Sequence, residues 1–110
     1  MPDNWFNKNV QNVVRTSISG YGVKGPQGGL PGYDFLMQAE SGLMKITGEV
    51  NGEPMKLGVA IVDIVTGLNA VISVISGLLL NKKLKNKNIL TEVNLYNSGI
   101  FLLANVASNT

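Results

Sequence analysis

The chain has 110 residues, a net charge of +2, and neither cysteine nor histidine. Its length suits one small domain, and its 45% hydrophobic content is that of a globular protein, not a disordered one. Disulfides, thiol nucleophiles, Ser-His-Asp chemistry and His- or thiolate-ligated metals are excluded, so acid, base or nucleophile work falls to Asp3, Asp34, Glu40, Glu49, Glu53, Asp63 and Glu92.

Met1 to Asn9 is polar and lacks the apolar segment of a secretory signal, and Asn4 to Asn12 reads as a polar lead-in. Val13, Val14, Thr16 and Ile18 form a β-rich run that ends at Gly20-Tyr21-Gly22. Lys24 to Gly29 is a loop. The glycine-rich turn of Gly20, Gly22 and Gly25 lacks the G-x-G-x-x-G spacing and is read as a plain strand exit rather than a phosphate cradle. Pro31 opens a helix whose apolar face (Phe35, Leu36, Met37, Ala39, Leu43, Met44) runs to about Ile46, weakened at Gly42 and ended by Thr47-Gly48.

After a polar loop centred on Asn51-Gly52, Gly58 to Val62 is apolar, and a buried helix runs from about Asp63 to Leu80. Thr66, Asn69, Ser73 and Ser76 share one of its faces, and Gly67, Ala70, Ser73 and Gly77 would let a neighbour approach closely. Lys82, Lys83, Lys85 and Lys87 cluster just past its end, where cations complement the helix dipole. No basic stripe elsewhere points to nucleic acid. Ile89 to Tyr96 alternates as a strand, and Asn97 or Ser98 can cap a last helix from Gly99 to about Ala107. The order strand, helix, buried helix, strand, helix is α/β, with parallel strands expected.

Three ordered blocks carry a family resemblance. They are Ser17-Ile18-Ser19-Gly20-Tyr21-Gly22; Pro31-Gly32-Tyr33-Asp34-Phe35 leading into Gln38-Ala39-Glu40-Ser41-Gly42-Leu43-Met44; and Gly58-Val59-Ala60-Ile61-Val62-Asp63-Ile64-Val65-Thr66-Gly67-Leu68. With their spacing and the tail Glu92 to Asn105, they resemble class III CoA-transferases such as the formyl-CoA, carnitine and succinyl-CoA:glutarate enzymes. The run Ile61 to Gly67 resembles the dicarboxylate-acting subgroup. The resemblance covers about residues 12 to 108 of one partial domain, 1–110. It implies a partial Rossmann-like unit of a much longer protein, without the upstream CoA-binding half or the downstream glycine-rich loop.

The same resemblance implies CoA or acyl-CoA as substrate, a carboxylic acid acceptor, no metal, a cytoplasmic site, and a homodimer or complementing fragment as partner. Asp63 resembles the family's nucleophile, which forms an aspartyl-CoA thioester. Read from the residues alone, Asp63 is a helix N-cap bonding the N–H groups near Val65 and Thr66, and the two roles can coexist. Burial would raise its pKa and the helix dipole would lower it. Tyr33 resembles a position that stacks near the CoA adenine; its alternative is a core aromatic. Relatives often carry a basic residue two or three positions earlier, where this chain has Pro31 and Leu30. Lys24 is a substitute candidate for phosphate binding, against the plainer reading of a solvated loop lysine.

Two other classes stay open. Leu57 to Leu80 is long enough at 1.5 Å per residue to cross a core of about 30 Å, as in a small single-pass membrane protein. Against this, Asp63 would cost about 2.5–3.5 kcal/mol at the centre of a span. The second class is an inactive remnant of the enzyme.

Overall fold

A computed structural model describes residues 3–85 and 87–109. The elements are α1 (Asp3–Asn9), β1 (Val14–Ser19), α2 (Asp34–Glu40), α3 (Leu43–Thr47), α4 (Ile61–Lys83), β2 (Ile89–Asn94) and α5 (Leu95–Ser108). The strands pair in parallel, Val14 opposite Ile89 through Ser19 opposite Asn94. The expected α/β class and parallel pairing are therefore observed.

Several local expectations are corrected. The polar lead-in is a short helix, α1, with Arg15 on β1 ion-paired to Asp3 and lying 4.3 Å from the Phe6 ring centroid. The helix expected from Pro31 to Ile46 starts at Asp34 and is split in two, because Gly42 takes a left-handed conformation (φ 87°) between α2 and α3. The last helix starts at Leu95, and its cap is Asn94, whose Oδ1 accepts from the Asn97 N–H at 2.8 Å. The cap lies upstream of Asn97 because the strand continues directly into the helix. Ala104 interrupts that helix in a left-handed conformation (φ 38°) that the sequence does not signal.

The helix α4 packs on both strands and on α5, but not as the buried helix the sequence implied. Its inward residues are Val62, Thr66, Gly77 and Asn81. Gly77 is needed for close approach, since a Cβ there would lie 2.6 Å from Val14 Cγ1; at Gly67 a Cβ would meet nothing within 4 Å. Thr66 turns its hydroxyl back to the Val62 carbonyl at 2.7 Å, and the Asn81 amide donates to the Lys87 carbonyl, so the polar atoms on this face are satisfied. Beyond Val62 the inward side thus carries small or polar residues (Ser76 of the expected polar face is exposed), while Ile64, Leu68, Val71, Ile72, Ile75, Leu78 and Leu79 are exposed. By length and composition α4 could cross a membrane. Its packing against two strands and α5 makes it part of the α/β unit, not the isolated span of the single-pass reading.

The core is small. Met37, Leu43 and Val62 are buried, and Tyr21, Leu57, Ile61, Leu95, Tyr96, Leu102 and Leu103 pack around them. The backbones of Gly20 and Gly32 cross with no room for a side chain; a Cβ on Gly20 would lie 2.5 Å from the Gly32 nitrogen. The chain is extended, with a radius of gyration of 16.8 Å, where a compact domain of about 100 residues has about 13 Å. Its accessible surface is 7722 Å², roughly 1,800 Å² more than a compact monomer of its mass exposes.

Candidate functional site

Gly77, near the C-terminal end of α4, packs on Val14 and Ile89, at the starts of the two strands. The N-terminal end of α4 therefore lies toward the carboxyl ends of β1 and β2, the side on which open α/β sheets bind ligands. The loop after β1 meets the start of α5 there. The Gly22 N–H donates to Ser19 Oγ at 2.9 Å, and the Tyr96 N–H donates to the Gly20 carbonyl at 3.0 Å. The Tyr21 hydroxyl donates to Glu40 Oε2 at 2.9 Å, and its ring lies 5.9 Å from that of Tyr96. Desolvation, then the Glu40 carboxylate that accepts its hydrogen bond, push the Tyr21 phenol above its ordinary value. Gly22 and Gly25 take left-handed conformations (φ 80° and 93°), as a sharp strand exit requires.

Asp63 lies in the first turn of α4 and is exposed. It does not cap the helix. Ala60 occupies the N-cap position with no side-chain hydrogen bond, because the helix begins two residues earlier than the apolar pattern implied. The capping acid comes instead from α2: Asp34 Oδ2 accepts the Asp63 N–H at 3.0 Å. Asp34 is only 7% exposed. Its other oxygen accepts from the Gln38 amide, one turn along α2.

Gln38 is fully buried and ties this pair to the approach segment. Its Oε1 accepts the Leu57 N–H at 2.9 Å, and its Nε2 reaches the Val59 carbonyl at 3.4 Å. One short helix thereby fixes residues 57, 59 and 63. The Asp63 carboxyl is held above its ordinary value of 3.8, first by desolvation and then by the Asp34 carboxylate. Of the opposing effects expected from sequence, the raising ones prevail.

Tyr33 precedes α2 and is 70% exposed, which corrects its reading as a core aromatic. Lys24 is exposed in the glycine-rich loop and forms no ion pair among the described residues. The structure thus ties Asp63 to the α2 segment that follows Tyr33, while Lys24 stays on a separate loop. Sequence reasoning missed Asp34 and Gln38 as positioning groups. Their i,i+4 spacing inside the second block was the available signal. It also missed Lys56, whose ammonium lies 3.9 Å from the Phe35 ring centroid. No group of three or more acids that could hold a metal converges among the described residues.

Comparison with known proteins places this geometry. The human succinyl-CoA:glutarate CoA-transferase is 40% identical over 98 residues, covering 89% of this chain and 22% of its own length. The succinate–glutarate CoA-transferase of Agrobacterium fabrum is 45% identical over 67 residues, 61% of this chain and 17% of that protein. Among solved structures, a CAIB/BAIF family protein from Brucella suis superposes with a TM-score of 0.91 at 35% identity, over 99% of this chain and 29% of its own. A hypothetical protein from Mycobacterium tuberculosis gives 0.84 at 26% identity, over 99% of this chain and 31% of its own. The chain spans about a fifth of the length of the curated relatives and under a third of the solved ones. A family profile, CoA-transferase family III, matches residues 6–110, and the chain belongs to that family.

Proposed function

We propose that this chain contributes the nucleophile of an enzyme that moves CoA from an acyl-CoA thioester to a carboxylic acid, with Asp63 as the covalent residue. One observation carries the reading. The Asp63 backbone is held by a buried carboxylate of another element, while its own carboxyl stays exposed at the carboxyl end of the strands.

The Asp63 carboxylate attacks the thioester carbonyl, breaking the C–S bond and forming a mixed anhydride with release of CoA thiolate. The thiolate then attacks the aspartyl carbonyl of the anhydride. The donor leaves as a free carboxylate and an aspartyl-CoA thioester remains. The acceptor carboxylate attacks that thioester, and the returning thiolate takes the acceptor's acyl group, restoring Asp63. Splitting one exchange in this way is nucleophilic catalysis, and each step returns what the previous one released. Tyr33, exposed beside α2, is the candidate surface for the adenine, and Lys24 a secondary candidate for phosphate. The relatives act on succinyl-CoA and glutarate, so dicarboxylates are the substrate class proposed here, in a reducing cytoplasmic setting.

The test is mass spectrometry of the chain after incubation with succinyl-CoA. An adduct on Asp63 that disappears in Asp63→Ala supports the reading; an adduct on another acid moves the site. A second reading is favoured by the surplus surface and the exposed apolar face of α4. In it, turnover requires a complementing polypeptide or a second copy, and without one the chain is an inactive remnant. Exchange measured with and without added segments of the family fold separates the two.

A further inference from the structure

Lys56 is held at two points by α2. Its ammonium lies 3.9 Å from the Phe35 ring centroid, and the next residue, Leu57, donates its N–H to Gln38 Oε1 at 2.9 Å. The same helix carries Asp34, which accepts the Asp63 N–H at 3.0 Å. Nucleophile and cation therefore share one frame, with Phe35 and Asp34 adjacent in the chain.

Lys56 and Phe35 are both exposed, and no carboxylate lies within ion-pair distance of Lys56 among the described residues. Two other groups of cations are engaged or remote. Arg15 is bound to Asp3 on α1, and Lys82, Lys83, Lys85 and Lys87 lie at or just past the C-terminal end of α4, opposite to Asp63.

We propose that Lys56 binds the distal carboxylate of a dicarboxylate substrate while Asp63 reacts with the near end. This rests on the reading of Asp63 above. In an exchange through one aspartyl intermediate, the leaving and entering acids occupy the same site in turn. One cation carried by the same helix frame as the nucleophile would serve both, and it would offset the repulsion between two carboxylates and a dianion. Lysine suits the role because it is a point charge on a flexible stem, so acids of different chain length reach the same partner. The Phe35 ring holds the ammonium through its face without neutralising the charge, which leaves it able to make a charge-assisted hydrogen bond.

The test is equilibrium binding of glutarate and butyrate to the 110-residue chain, its Lys56→Gln and Lys56→Arg variants, and Asp63→Ala. Far-ultraviolet circular dichroism checks that each is folded. This readout needs no turnover, so it stands apart from the adduct experiment. Glutarate is expected to bind at least about tenfold more tightly than butyrate, a difference of about 1.4 kcal/mol. Lys56→Gln is expected to abolish that preference and Lys56→Arg to keep it. Equal binding of the two acids by the unaltered chain, or a preference that survives Lys56→Gln, overturns the proposal. Binding of CoA by the same proteins separates the other anion source. If Lys56→Gln weakens CoA binding and leaves the glutarate preference intact, the lysine serves a phosphate and the carboxylate assignment fails.

Discussion

Two glycines on one helix give opposite answers to the same substitution. Gly→Ala in a helix interior gains about 1 kcal/mol from backbone entropy. At Gly67 the new methyl meets nothing within 4 Å, so the full gain is expected. For a domain of this size, that raises Tm by roughly 4–8 °C. At Gly77 the methyl would lie 2.6 Å from Val14 Cγ1, with Ile89 Cγ2 at 3.6 Å and Thr91 Cγ2 at 3.7 Å behind it. Such overpacking costs about 1–3 kcal/mol. Set against the propensity gain, Gly77→Ala is expected to be neutral at best and to lose up to about 2 kcal/mol. The assay is thermal unfolding followed by far-ultraviolet circular dichroism on both single variants. If Gly77→Ala stabilises as much as Gly67→Ala, the packing of α4 on the two strands described above is wrong.

Other consequences follow from the carboxylate pair and the outer face. A carboxyl whose folded pKa is raised holds its proton more tightly in the folded chain. Its contribution to stability is therefore full below the ordinary value and is lost as pH rises through the raised one. Asp63→Asn should accordingly stabilise the chain at neutral pH, with the gain vanishing in acid, measured by denaturant midpoints across pH. Asp34→Ala strands the Asp63 N–H and the buried Gln38 amide and should cost about 1–3 kcal/mol. Asp34→Asn should lower the titration point of Asp63, read by NMR of its carboxyl carbon. On the proposal that a second copy covers the exposed face of α4, the unaltered chain should sediment as a dimer and Ile72→Lys and Leu79→Lys as monomers, without loss of helix content.

The architecture was legible in the sequence where the pattern is local. A β-rich run gave the first strand and alternation the second, and Thr47-Gly48 marked a helix end that the structure keeps. The direction in which α4 faces was legible at Gly77, read as a point of close approach, but the exposure of its apolar side was not. Amphipathic patterning would turn the apolar side to the core, yet Gly77 meets the strands, where a small residue is needed, and Thr66 is buried with its hydroxyl bonded back to Val62. Asp63 was visible through its motif. Its support was not, because Asp34 and Gln38 act across 29 and 19 residues of chain, a relation that periodicity does not encode. The capping reading of Asp63 failed for the same reason: the acid that serves the helix end comes from elsewhere.

The crossing of Gly20 and Gly32 gives this arrangement a mechanical character. With no side chain between the two backbones, the end of β1 bears directly on the turn that starts α2, without slack. Two residues after Gly32, Asp34 grips the backbone of Asp63. The crossing acts as a pivot pin: a small displacement of the sheet would be carried through it to the backbone of Asp63, so that this residue is indexed to the strands and not to its own helix alone.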